Sequence, residues 1–275
     1  MSGLNLDPTQ LDRYSRHIIM EDVGPAGQQK LLDADVLVVG AGGLGAPVIQ
    51  YLAAAGVGRL AIVDDDVVER SNLQRQIIHA DADIGHPKAE SAREYVERLN
   101  PDVNVEVHEK RLTADNAEDL IRERDFVVDC SDNFGTRYLV NDACVLHEVP
   151  FSHGAIYRFE GQAITFAHEE DSPCYRCLFP EAPEEGVVPD CSEAGVLGIL
   201  PGTVGCIQAT ECVKALLDYG ELLDGRLLFY DAGDMTFEEA PVAKNPECPL
   251  CGEEPEIDSV QEVEYSGGCT IADAD

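Results

Sequence analysis

The sequence predicts an α/β protein with a doubly wound, mostly parallel sheet. Two observations lead to this prediction. Short strand patterns alternate with helical patterns up to about residue 155, which is typical of a parallel sheet covered by helices on both faces. A glycine-rich turn also joins the first buried strand to the helix after it, as in Rossmann-like folds.

The elements of the first half follow from apolar periodicity and from residues that begin or end helices. Tyr14 and Ile18 share one face of an N-terminal helix. Pro87 suits a first helical turn, and Asn100-Pro101 ends that helix. These patterns predict helices over 12–20, 44–55, 87–99, 116–123 and 135–147, and strands over 36–39, 60–63, 103–107, 126–129 and from 151 onward.

The second half extends the same sheet, because no linker separates it from the first. Strands are predicted over 161–166, 226–230 and 235–242, and a helix over 202–217. We therefore expect a single domain over 1–252, with antiparallel strands at its C-terminal end. Residues 181–190, rich in Glu, Pro and Gly, are expected to form a mobile loop, and the acidic residues 253–275 a disordered tail.

The charge of the chain is strongly negative, with 53 acidic against 19 basic residues and a net charge of −34 in 275 residues. Such a surface argues against nucleic-acid binding, which needs cations facing phosphates. It favours a halophilic source, where salt screens acidic self-repulsion. An acidic face for a basic partner protein is the alternative, and composition does not separate the two.

The chain shows no leader of basic and then apolar residues, so we expect a cytoplasmic protein. Residues 36–58 carry no charge, but six glycines and one proline interrupt them. A buried strand–turn–helix unit explains that stretch better than a membrane span. Ten cysteines in such a chain favour free thiols or metal ligands over disulfides.

The glycine-rich turn predicts a nucleotide site. Gly40, Gly42 and Gly45 have the G-x-G-x-x-G spacing between a strand and a helix, which lets the backbone approach a phosphate closely. Asp64 ends the next strand, where a carboxylate can accept ribose hydroxyl groups. The alternative is that these glycines only permit close packing of helix on strand.

Further polar residues favour a triphosphate. Arg75 lies in N-L-Q-R-Q with Asn72 and Gln76, and Lys88 opens the next helix. Asp132 follows the fourth strand, at the sheet edge where ligands bind. Two cations and a carboxylate suited to Mg²⁺ match ATP.

Ordinary alternatives remain for these residues. Arg75 could form a surface salt bridge, and Lys88 could be a solvated lysine. An NAD-dependent oxidoreductase is the alternative function, supported only by the glycine motif and Asp64. A non-catalytic scaffold, half of a heterodimer, is a third hypothesis.

Five motifs together resemble the MoeB/ThiF/HesA family, the prokaryotic relatives of ubiquitin-activating enzymes, over about residues 8–252. The motifs are R-Y-S-R-H, V-G-A-G-G-L-G, S-N-L-Q-R-Q, G-H-P-K-A-E-S-A and D-C-S-D-N-F. The resemblance implies ATP-dependent adenylation of the C-terminal glycine of a small ubiquitin-like or sulfur-carrier protein. It implies downstream roles in protein conjugation, molybdopterin synthesis or tRNA thiolation.

The resemblance also implies residue roles. Asp64 would hold the ribose, Asn72, Arg75 and Lys88 the phosphates, and Asp132 the Mg²⁺. Family members are homodimers in which an N-terminal arginine reaches the neighbour's ATP, and Arg16 matches it. The nucleotide-binding set is Gly40, Gly42, Gly43, Gly45, Asp64, Ser71, Asn72, Arg75, Gln76, Lys88, Asp132 and Asn133.

The cysteines fall into three groups. Two C-x-x-C pairs predict one tetrahedral, structural Zn²⁺ site from Cys174, Cys177, Cys248 and Cys251. A C-x-x-C pair taken alone could instead be a redox dithiol. Four cysteines in apolar patterns are expected to pack in the core: Cys130, Cys144, Cys206 and Cys212.

Cys191 is a candidate nucleophile. It follows the predicted mobile loop and matches the family cysteine that takes the activated partner as a thioester or sulfur adduct. The alternative is an ordinary loop thiol, and the acidic neighbours Asp190 and Glu193 would raise its pKa. His153 could line the pocket, but we expect it to be a satisfied core histidine.

Overall fold

A single eight-stranded sheet organises the chain in the computed structural model, which describes residues 6–180 and 195–265. The strand order is β3-β2-β1-β4-β5-β6-β7-β8. The first five strands pair in parallel, and β6, β7 and β8 continue the sheet antiparallel. The prediction of a mostly parallel sheet with an antiparallel extension is confirmed.

The strands lie close to their predicted positions. Their bounds are β1 Asp35–Val39, β2 Arg59–Val63, β3 Asn104–His108, β4 Phe126–Asp129, β5 Phe151–Tyr157, β6 Glu160–Phe166, β7 Arg226–Asp231 and β8 Thr236–Pro241. The helices are α1 Pro8–Arg13, α2 Ser15–Ile18, α3 Gly24–Asp33, α4 Gly45–Ala55, α5 Lys88–Leu99, α6 Ala114–Ile121, α7 Phe134–Leu146, α8 Tyr175–Leu178 and α9 Leu200–Leu217.

The N-terminal region differs from the prediction of one helix over 12–20. Asp7 caps α1 in a capping box with Gln10, and Pro8 occupies its first turn, so the helix begins earlier. Tyr14 separates α1 from α2. Helix α3 was not predicted; Gly24 and Pro25 form its first turn.

Two hydrophobic layers cover the two faces of the sheet. Val36 and Val38 of β1 belong to the layer that includes α3, α4, α5 and α9. Leu37 and Val39 belong to the opposite layer, with α6 and α7. Side chains of a strand alternate between faces, so β1 is buried on both sides and its apolar run is explained.

The segment after residue 252 differs from the predicted disordered tail. In its described part, 253–265, Val260 is fully buried and the Tyr265 hydroxyl donates to Asp142 Oδ2 at 2.8 Å. The prediction of disorder is therefore wrong for this part, because an aperiodic segment can still dock through single anchor residues. The predicted mobile loop 181–190 lies outside the described residues. Among the described helices, none has the length and apolarity needed to cross a membrane.

Candidate functional site

The predicted site residues meet at one edge of the sheet. Gly40 follows β1, Asp64 follows β2, and Asp132 lies on the turn after β4. These three strands are neighbours in the order β2-β1-β4, and the chain moves in opposite directions from β1 and from β4. This is the topological switch point at which α/β sheets bind ligands.

The glycines have separate roles. At Gly45 a Cβ atom would lie 1.9 Å from the Gly40 carbonyl oxygen, and Gly40 itself has φ +96° with the Cys130 carbonyl nearby. These two residues must be glycine for the turn to form. Among the described residues, a Cβ at Gly42 would meet only the Gln76 amide nitrogen, at 3.5 Å. Gly42 therefore leaves room for a ligand. Gly40 and Gly45 permit the tight turn, whereas Gly42 keeps the space beside it open.

Asp64 is fixed by backbone donors. Its Oδ2 accepts from Ala41 N at 2.7 Å, and its Oδ1 accepts from Asp66 N at 2.9 Å. Burial raises the pKa of this carboxyl, and the nearby Lys88 ammonium opposes that shift. Because each carboxylate oxygen can accept a further bond, Asp64 is oriented to receive hydroxyl groups.

Of the two predicted cations, Lys88 is the one whose charge acts on that carboxylate. Lys88 is buried, with 7% of its side chain exposed, and Nζ pairs with Asp66 Oδ2 at 2.6 Å. The hypothesis of a solvated lysine is therefore wrong. Arg75 is half-buried, and its Nη1 donates to the Ser71 carbonyl at 3.2 Å.

Gln76, in the same segment as Arg75, has a buried side-chain oxygen, Oε1, without a hydrogen-bond partner among the described residues. Asn72 beside it is also buried. Buried polar atoms are normally satisfied, so this orphaned oxygen is what a site awaiting a polar ligand would show.

The turn after β4 presents Asp132 to solvent. Asn133 caps α7, because its Oδ1 accepts from Thr136 N at 2.9 Å, and its Nδ2 lies 3.5 Å from Asp132 Oδ1. The predicted nucleotide-binding role of Asn133 therefore competes with a capping role. The Ser131 hydroxyl is buried and unpaired within 6–180 and 195–265.

Sequence reasoning missed Asp129, the last residue of β4. Its Oδ1 accepts from Ser131 N at 3.0 Å, and its Oδ2 lies 2.7 Å from His153 Nδ1. Burial lowers the pKa of His153, and its Nδ1–H donates to the carboxylate, which can only accept when ionised. The prediction of a satisfied core histidine is confirmed. A carboxylate directly before C-S-D-N was the available signal for Asp129.

The four cysteines of the two C-x-x-C pairs form one cluster. Their sulfur atoms all lie within 4.8 Å of one another, and Cys177 to Cys251 measures 3.4 Å. A Zn²⁺ tetrahedron with its usual bond lengths places sulfurs about 3.8 Å apart. The donor set therefore fits zinc.

The remaining cysteines differ from one another. Cys130, Cys144 and Cys212 are buried as predicted. Cys206 is only half-buried and lines an apolar surface groove, so its core assignment was too strong. Cys191 lies outside the described residues. Arg16 is exposed on α2.

Comparison with known proteins finds relatives that cover almost the whole chain. The chain is 64% identical to "SAMP-activating enzyme E1" of Haloferax volcanii, over 98% of both chains. It is 52% identical to "Sulfur carrier protein adenylyltransferase" of Thermus thermophilus, over 95% of this chain and 97% of that one. The predicted halophilic source fits the Haloferax relative.

Solved structures show the same fold. The structure of E. coli MccB with ATP superposes with a TM-score of 0.79 at 21% identity, over 92% of this chain and 77% of that chain. The relatives named here give no support to the NAD-dependent oxidoreductase alternative. The family model described as "ThiF family" matches residues 14–250. Since that match spans most of the chain, the protein belongs to the ThiF family.

Proposed function

We propose that the protein uses ATP to adenylate the C-terminal glycine of small ubiquitin-like or sulfur-carrier proteins. The glycine carboxylate attacks the α-phosphorus, a carboxyl-oxygen-to-phosphorus bond forms, and the bond to the β-phosphate breaks to release pyrophosphate. One observation carries the proposal: the buried Lys88 ammonium stands beside Asp64 at the open glycine turn. The names of the Haloferax and Thermus relatives support it.

The residues divide the task by charge. Asp64 receives the ribose hydroxyl groups, while Asn72, Arg75 and Lys88 hold the phosphates. Attack of one anion on another is opposed by repulsion, and preorganised cations lower that barrier. Asp132 would hold Mg²⁺, which adds positive charge at the phosphates. The four-cysteine cluster would hold Zn²⁺ with no open position, a structural arrangement.

A homodimer is part of the proposal. An apolar groove exposes Tyr51 at 59%, Ile77 at 59% and Ile199 at 71% of their surface. Exposed apolar surface of this kind is typical of an interface. A second copy covering the groove would also bring its N-terminal arm, and with it Arg16, toward the neighbouring ATP.

Cys191 would accept the activated glycine as a thioester, with AMP leaving. The adenylated or sulfur-loaded carriers would then serve protein conjugation, molybdopterin synthesis or tRNA thiolation. A cytoplasmic location is proposed because ATP and metal-binding thiolates both belong to a reducing compartment. Neither a nucleic acid nor a membrane is among the proposed partners.

The test is ATP–pyrophosphate exchange with a carrier ending in diglycine. We expect exchange only when both ATP–Mg²⁺ and the carrier are present, together with a carrier-adenylate seen by mass spectrometry. A carrier lacking the last glycine is the matched control. Absence of exchange with every diglycine carrier, or a melting temperature raised by NAD and not by ATP, would contradict the proposal.

A further inference from the structure

A buried histidine, His79, contacts the same residue of the glycine turn as Asp64 does. His79 Nε2 lies 3.0 Å from the Ala41 carbonyl oxygen. Asp64 Oδ2 accepts from the N–H of the same residue at 2.7 Å. Ala41 lies between Gly40 and Gly42, so both polar groups of the residue at the centre of the turn are held by side chains.

The contact defines which ring nitrogen carries the proton. A carbonyl oxygen only accepts, so Nε2 of His79 is the protonated nitrogen and donates to Ala41. Nδ1 lies 2.8 Å from Ser91 Oγ, and that hydroxyl is also 3.1 Å from Asp83 Oδ2. Burial lowers the pKa of His79.

His79 thereby joins three parts of the site. Its backbone N–H donates to the Gln76 carbonyl at 3.1 Å, within the segment that carries Arg75. Ser91 lies one turn beyond Lys88 on α5. The ring itself reaches the glycine turn. A shift of this ring would therefore move the turn relative to both cations.

We infer that His79 is a positioning residue for ATP, holding the Ala41 peptide so that the glycine turn and Asp64 keep their binding geometry. The inference rests on the proposed function. Without the Nε2 donor the buried Ala41 carbonyl loses its partner, and the turn would rotate to find another. Gly42 offers little resistance to this rotation, because glycine adopts a wide range of backbone φ and ψ angles. Asp64 follows, since it accepts from the same residue.

The test compares three variants of the full chain. His79→Asn keeps a group near Ser91 but is too short to reach Ala41, whereas His79→Gln can place an amide N–H near the Nε2 position. His168→Asn is the matched control, because His168 Nε2 also donates to a backbone carbonyl, that of Val149, at 2.9 Å. Its φ of +59° suits asparagine.

The measurements are the Kd for ATP–Mg²⁺, the KM for the carrier and the melting temperature without ligand. His79→Asn should raise the Kd for ATP about fivefold to tenfold, the value of one lost hydrogen bond, with the carrier KM unchanged. His79→Gln should recover most of that loss. His168→Asn should lower the melting temperature without changing the Kd.

Two results would overturn the inference. One is a wild-type Kd for ATP in His79→Asn. The other is an equal rise of the Kd in His79→Asn and His168→Asn, which would assign the effect to general destabilisation. Failure of the wild-type protein to bind ATP at all is a separate result, because it would contradict the proposed function and not the geometry of His79.

Discussion

Lys88 Nζ lies 2.6 Å from Asp66 Oδ2, and the pair joins a buried ammonium to an exposed carboxylate. With 68% of its side chain exposed, Asp66 loses little solvation in this pairing and can be displaced by water. Lys88 has no such freedom, since burial of an uncompensated charge is costly. We infer that Asp66 neutralises Lys88 until a phosphate replaces it.

Removal of the Lys88 ammonium should abolish adenylation and leave the fold intact. Lys88→Ala should reduce carrier-dependent pyrophosphate exchange by about a hundredfold or more, because one electrostatic contact in the transition state is lost. Arg75→Ala should act in the same direction. Lys30→Ala is the control, since Lys30 pairs with Asp218 at 2.8 Å with both side chains exposed. Near-normal exchange in the Lys88 and Arg75 variants would remove them from the site.

Removal of the competing carboxylate should strengthen phosphate binding. Asp66→Asn should lower the Kd for inorganic pyrophosphate about twofold to fivefold, the scale of a solvent-exposed ion pair. Titration calorimetry at constant salt measures this. In the double variant with Lys88→Ala the gain should disappear, because Asp66 acts through that ammonium. A higher Kd for pyrophosphate in Asp66→Asn would show that Asp66 orients Lys88 and does not compete with the phosphate for it.

The zinc site should govern stability and not chemistry. Metal analysis should find about one Zn²⁺ per chain from the four thiolates. Cys177→Ser should lower zinc content and melting temperature together. Cys212→Ser is the control, because Cys212 is buried in the hydrophobic layer of α3, α4, α5 and α9 and is not one of the four clustered cysteines, and it should lower only the melting temperature. Full zinc occupancy in Cys177→Ser would mean that the two pairs do not form one site.

Stability should fall on acidification below about pH 6.5, the ordinary pKa of histidine. Burial lowers the pKa of His79, His108, His153 and His168 in the folded protein. The unfolded chain therefore binds these protons first as pH falls, and each proton steepens the loss by up to about 1.4 kcal/mol per pH unit.

His153→Asn tests this dependence, since its amide can still donate to Asp129. Urea unfolding between about pH 5 and pH 6.5 should show a shallower dependence of the unfolding free energy on pH in this variant. Above that window the two proteins should have the same slope. A steeper slope in the variant would show that His153 is protonated in the folded state.

Cys191→Ser should form the carrier adenylate and lose the thiol-sensitive adduct. Adenylation needs only the nucleotide site, whereas transfer needs a nucleophile that can reach it. Cys212→Ser is the control, a buried thiol that does not line the surface groove. If the wild type yields no adduct and Cys191→Ser supports downstream transfer at the wild-type rate, Cys191 is a bystander.

The amino-acid sequence by itself predicted the order of strands and helices along the chain. It also predicted which residue types form the candidate site. Strand and helix patterns are local, so β1, β2 and β4 were predicted within one residue at each end. The spacing of Gly40, Gly42 and Gly45 reports a local turn, and the two C-x-x-C pairs report a ligand set. These features depend on neighbours in the chain, which a sequence displays directly.

Only the tertiary structure decided how distant groups face one another. His79 and Ala41 are 38 residues apart. Val260 lies in an aperiodic segment and packs into the hydrophobic layer that contains α6 and α7. The burial of Lys88 likewise depends on side-chain direction. Residue spacing does not specify that direction, because it is set by the packing of helices and loops on both faces of the sheet.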